Sequence, residues 1–135
     1  DLLAGAAKGD LSMFATMGKW MHAKDPIGTP EWTIADTVEI LQRARPGVAH
    51  ADLTACNTYP GAAAVAAGVA VPILLLLGEQ DLMTKPSAAT PIATAADDAT
   101  TVIVPGAGHL LPVERPDAVN DALLEFLARV DETRE

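Results

Sequence analysis

An α/β fold built on parallel strands is what this 135-residue sequence predicts, and three observations carry the prediction. Residues 73–77 (ILLLL) form a solid apolar run ended by Gly78, the composition of a strand covered on both faces, as parallel strands are. A second apolar run, residues 101–104 (TVIV), comes after a stretch long enough to hold a crossover helix. Helical patterns precede the first run and succeed the second.

Taken in order, residues 2–23 carry Leu11, Phe14, Ala15, Met17, Gly18 and Met21 at helical spacing, with Asp10 placed as an N-cap. Residues 24–30 (KDPIGTP) have turn chemistry, and residues 34–44 resume a helical pattern through Ile34, Val38, Ile40 and Leu41 until Pro46 and Gly47 stop it. Short helices over 49–56 and 61–67 complete a helical first half. Residues 86–96 supply the crossover helix of one βαβ unit. Pro116 suits the first position of a final helix whose stripe of Val119, Leu123, Phe126, Leu127 and Val130 packs on the sheet. The organisation divides into a helical segment, residues 1–68, and a sheet-bearing segment, residues 69–135. Two parallel strands leave free edges and apolar faces. Further parallel strands from another chain or segment, or elements exchanged with a second copy, are therefore expected.

Nine basic against eighteen acidic residues give a net charge of -9, which disfavours phosphate-neutralising nucleic-acid binding and attraction to an anionic membrane. A small neutral or cationic ligand fits this balance better. Cys56 is the sole cysteine, so no intrachain disulfide forms and a reducing compartment, the cytoplasm, is the expected location. The charge-free stretch over residues 59–78 is broken by Pro60 and Pro72 and reads as helix, turn and strand, not a membrane span. The opening has no signal-peptide pattern, and its first residue, Asp1, reads as a processed, trimmed or cut terminus.

Asp81 lies four residues beyond Leu77 and His109 five beyond Val104, so two loops of similar reach leave the carboxyl ends of the two strands, where α/β folds bind ligands. Adjacent strands are roughly 4.8 Å apart, and this spacing permits an Asp81–His109 hydrogen bond. Such a carboxylate fixes the imidazole tautomer and stabilises the imidazolium formed when the other nitrogen takes a proton. Gly106 and Gly108 in PGAGH allow the sharp backbone that projects the histidine.

The blocks VPILLLLGEQD and VIVPGAGHLLPVERPDAVNDALLEFL resemble the last two strands and final helix of α/β-hydrolase fold proteins, over roughly residues 69–130. The first half resembles, more loosely, the helical cap such enzymes carry over the site. The resemblance implies that Asp81 is the triad acid, that His109 is the general base, and that the cap supplies a wall of the substrate pocket. No cofactor or metal is implied. The family's G-x-S-x-G nucleophile elbow and HG-type oxyanion loop do not occur in this sequence. Ser12 and Ser87 are its only serines; neither has flanking glycines or comes after an apolar strand, and Cys56 lacks them too. The resemblance thus implies a partial α/β-hydrolase fold: the C-terminal portion of a serine-type hydrolase acting on an ester or related acyl substrate, completed by a complementary N-terminal segment or second chain. A cleaved or split polypeptide would account for this. An aspartate or cysteine nucleophile elsewhere stays open, as does a non-catalytic module that binds a small apolar ligand or a partner protein.

The other candidates read as structural. His22 and His50 are expected to be surface or satisfied core histidines, and three histidines without an i, i+4 pair do not make a zinc site. Met17, Trp20, Met21 and Trp32 are expected in ordinary core packing, and the tail DETRE is expected to be a solvated helix end.

Overall fold

A computed structural model describes residues 1–25 and 33–132 of the chain. Five helices come first: α1 (Leu2–Lys8), α2 (Ser12–Met21), α3 (Ile34–Gln42), α4 (Val48–Thr58) and α5 (Ala62–Ala66). After them come β1 (Ile73–Gly78), a 3-10 turn (Pro86–Ala89), α6 (Thr90–Ala95), β2 (Ala99–Val104), α7 (Leu111–Glu114) and α8 (Pro116–Glu132). Helices followed by a parallel βαβ unit and a final helix are the order expected from the sequence.

The expected first helix is two. Gly9 takes a left-handed conformation (φ 68°) that ends α1, and its amide reaches back to the carbonyls of Ala6 and Gly5. Asp10 caps the start of α2 by accepting from the amide of Ser12 at 2.9 Å, although that helix begins one residue later than an Asp10 N-cap implies. Thr33 and Asp36 form a reciprocal capping box on α3. Gly47, at φ 87°, turns the chain into α4.

One face of α2 buries Met13, Phe14 and Met17 against Leu2 and Ala6 of α1, Val38 and Leu41 of α3, Ala49 and Leu53 of α4, and Met83 from the loop after β1. Close approach of α2 and α3 depends on Gly18, where a Cβ would stand 2.9 Å from Val38 Cγ2. Because Met83 belongs to this core, the helical half is packed onto the end of the sheet, not merely tethered to it.

β1 and β2 pair in parallel, with Ile73 opposite Ala99 and Gly78 opposite Val104, so β2 begins two residues earlier than its apolar run. The residues between them form the crossover as a 3-10 turn leading into α6, where a single helix was expected. Leu74, Thr100 and Val102 share a cleft with Phe126 and Arg129 of α8. Leu77, Thr101 and Ile103 face Pro86, Ala89 and Ala93 on the opposite side. Helices therefore lie on both faces of the pair.

The apolar stripe of α8 is only partly used. Val119 is 7% exposed, whereas Leu123 and Leu127 stand 41% and 55% exposed. Two strands span too little width to cover the whole apolar face of a seventeen-residue helix. Trp32, the later part of the turn over 24–30 and the last three residues of the acidic tail lie outside the described residues.

Candidate functional site

The loops leaving β1 and β2 are knitted together by the polar residues of GEQD. Glu79 Oε2 accepts from the amide of Gly106 at 3.0 Å, and the amide of Gln80 donates to the carbonyl of Ala107 at 2.8 Å. Gln80 Oε1 accepts from the amides of Lys24 and Asp25, at 2.8 and 3.0 Å, tying the segment after α2 to the same loop. Each bond satisfies a backbone group that has no strand or helix partner.

Asp81 is buried and has both oxygens engaged. Oδ1 accepts from the amides of Met83 and Thr84, at 2.8 and 2.9 Å, and Oδ2 lies 2.8 Å from Nδ1 of His109. The Asp81 side chain is 8% exposed and that of His109 38% exposed. With the hydrogen on Nδ1 donated to Asp81, Nε2 is left as the ring's available acceptor. The two residues singled out from sequence are thus brought together as an oriented carboxylate–imidazole pair, an arrangement able to take and return a proton at Nε2.

Glycine permits this geometry in two different ways. Gly106 has φ 61° and needs the left-handed conformation. Gly108 does not; there a Cβ would lie 2.6 Å from the amide nitrogen of Ala23 and from the carbonyl oxygen of Met21. Its role is close approach, which corrects the expectation of a strained turn at both positions.

His109 opens on a cleft of about 550 Å³ lined by Leu2, Leu3, Trp20, Leu53, Met83 and Cys56, among others. Trp20 is 39% exposed and lines this cleft, so the expectation of core packing fails for it: it continues the Met13–Met17 face into the last turn of α2, where that face meets the cleft. Met17 is core, as expected. Cys56 is exposed and also faces the cleft. Ser12, at the start of α2, and Ser87, in the 3-10 turn, are both exposed and are not among the described residues lining it.

His22 is a satisfied core histidine: 6% exposed, with Nε2 2.8 Å from Thr37 Oγ1 and Nδ1 3.5 Å from Glu114 Oε1. His50 is exposed on α4. Sequence reasoning passed over Glu114, whose 3%-exposed carboxylate accepts from the amide of Ala23 at 2.9 Å and from the amide of Gly108. The only signal was its place one short helical turn beyond PGAGH.

The profile of the alpha/beta hydrolase family matches residues 2–122, and the chain belongs to that family. Its relatives include BpoC of Mycobacterium tuberculosis, named a non-heme bromoperoxidase, which is 39% identical over 62 residues, 46% of this chain and 24% of that protein. Carboxylesterase nap of Bacillus subtilis is 39% identical over 57 residues, 42% of this chain and 19% of that protein. Among solved structures, a thermophilic esterase superposes with TM-score 0.75 at 25% identity, covering 96% of this chain and 50% of the esterase. An esterase from Exiguobacterium antarcticum matches at TM-score 0.77 and 14% identity, covering 94% and 46%. The matches span about a quarter or less of these curated relatives and about half of these solved structures. Among the described residues no helix is long and apolar enough to cross a membrane.

Proposed function

We propose that this chain supplies the acid–base half of a serine-type ester hydrolase, with the nucleophile and oxyanion hole on strands carried by a complementary segment. The observation that carries the reading is the Asp81–His109 pair, bonded through Nδ1 at 2.8 Å, with His109 lining a largely apolar cleft. Esterase names among the relatives favour acyl chemistry. The exposed leucines Leu123 and Leu127 on α8 are what a wider sheet would cover.

In this reaction the serine hydroxyl attacks the ester carbonyl carbon while His109 Nε2 takes its proton. The proton then passes to the leaving alkoxide as the C–O bond breaks. Water repeats the attack on the acyl-enzyme, again through His109, and the acid product leaves with the serine restored. Asp81 stays ionised throughout and holds the ring in the tautomer that can accept. Residues 1–68 act as a cap, in which Leu2, Leu3, Trp20 and Leu53 form the wall against which a small apolar acyl or alkyl group packs. The lone Cys56 is consistent with a cytoplasmic setting.

A serine-directed fluorophosphonate tests the reading on the intact protein. Labelling of a serine outside this sequence is expected, slowed on the order of 10²–10⁴-fold by His109→Ala. Absence of labelling, or turnover untouched by His109→Ala, overturns it and favours a ligand-binding module.

A further inference from the structure

Glu114 is a buried carboxylate that the proposed proton transfer does not use. An ionised group removed from water costs several kcal/mol unless its lone pairs are taken up, and here they are. Oε1 accepts from the amide of Ala23 at 2.9 Å and lies 3.5 Å from His22 Nδ1, while Oε2 accepts from the amide of Gly108. His22 continues the chain to Thr37 on α3 through its 2.8 Å contact with Oγ1, and His22 and Thr37 are 6% and 5% exposed. These partners come from three places: the loop of β2, the end of α2, and α3.

Gly108 is the residue directly before His109. The amide of His109 donates to Met21 at 2.7 Å, so the peptide units on both sides of Gly108 Cα are anchored, one to Glu114 and one to the end of α2. Neither anchor touches the imidazole. Together they fix the backbone from which it projects, and the Asp81–His109 bond depends on that placement.

We propose that Glu114 is a positioning residue for His109, its carboxylate clamping the Gly108 amide so that Nδ1 meets Asp81, with His22 and Thr37 holding the carboxylate in turn. The proposal rests on the hydrolase reading for its effect on rate but not for its effect on ring geometry. Misplacing a general base by about an ångström costs on the order of 10²-fold.

The test compares Glu114→Gln and Glu114→Asp in the intact protein. One readout is hydrolysis of a p-nitrophenyl ester; the other is the low-field proton resonance of His109 Nδ1–H, assigned by its loss in His109→Gln. Glu114→Gln keeps the shape but turns one acceptor into an N–H donor facing an amide. It is expected to lower kcat about 10- to 100-fold with KM within about twofold, and to move or broaden the resonance. Glu114→Asp, which retains charge at shorter reach, is expected to fall between it and the wild type. A folded Glu114→Gln protein with wild-type kcat, or with an unmoved resonance, overturns the proposal. If His109→Gln itself spares turnover, the hydrolase reading fails and the resonance alone decides whether Glu114 positions the ring. If Glu114→Gln does not fold, Glu114→Asp is read by the same criteria; if neither folds, the carboxylate serves the fold as a whole and the positioning role is rejected.

Discussion

The amide of His109 donates to the carbonyl of Met21 at 2.7 Å, so the candidate base is hung from the C-terminal end of a helix in the other half of the chain. One residue earlier, the carbonyl of Trp20 accepts from the amide of Leu82, beside Asp81, at 3.2 Å. The last carbonyls of a helix have no partner within it. Here they are satisfied by the two loops that carry Asp81 and His109, and the end of α2 becomes the template that sets the distance between them.

Gly78 shows how little room that template leaves. A Cβ there would stand 2.0 Å from the carbonyl oxygen of Gly108 and 2.7 Å from that of Ala107, both backbone atoms that cannot rotate away. Gly78→Ala is expected to push the loops apart, destabilising the protein by about 1–3 kcal/mol and lowering ester turnover on the order of 10²-fold. Denaturant midpoints and kcat on the folded protein check both. A neutral outcome would mean that the loops are not in contact at Gly78.

Asp81→Asn probes the tautomer. The oxygen bonded to the amides of Met83 and Thr84, at 2.8 and 2.9 Å, has to remain an oxygen, so the new NH2 group faces His109 Nδ1. The ring must then accept at Nδ1 and carry its hydrogen on Nε2, where it cannot take a proton. Turnover is expected to fall by about 10⁴, the size of the effect in the serine-protease triad, with the fold intact by circular dichroism. Fold intact and turnover retained would remove Asp81 from the mechanism.

Asp81 and His109 were legible because strand ends, loop lengths and flanking glycines are local features, written in consecutive residues. Glu114 was not, because its partners are the amides of Gly108 and Ala23. Every non-proline residue carries an amide, so residue type cannot flag which one a carboxylate will meet. Trp20 failed for a related reason: helical periodicity marks faces but not what each face meets, and Trp20 lies on the cleft side of α2. The break at Gly9 was legible in principle, since glycine just after a lysine-ended turn is a C-cap signal.

Trp20 contributes its ring to the cleft and its carbonyl to Leu82, and only the ring is lost in Trp20→Ala. Removing about 1–2 kcal/mol of apolar contact is expected to raise KM for a bulky acyl ester about 5- to 30-fold while leaving kcat within about twofold. A matched loss of kcat instead would mean that the ring supports the loops and not the substrate.

Asp36 carries a pH signature. The Thr33 hydroxyl donates to its Oδ2 at 2.6 Å and the Thr33 amide at 2.8 Å, and these bonds hold the carboxyl below its ordinary 3.8. A group whose folded pKa is depressed contributes stability that is present above the unfolded value and is lost as pH falls through the folded one. Asp36→Ala is therefore expected to melt at a lower temperature than the wild type near neutral pH. The gap should narrow as pH drops below 3.8 and close once Asp36 is protonated in the folded state. A Tm difference that stays constant into strong acid would mean that the capping box stabilises α3 without help from the carboxylate's charge.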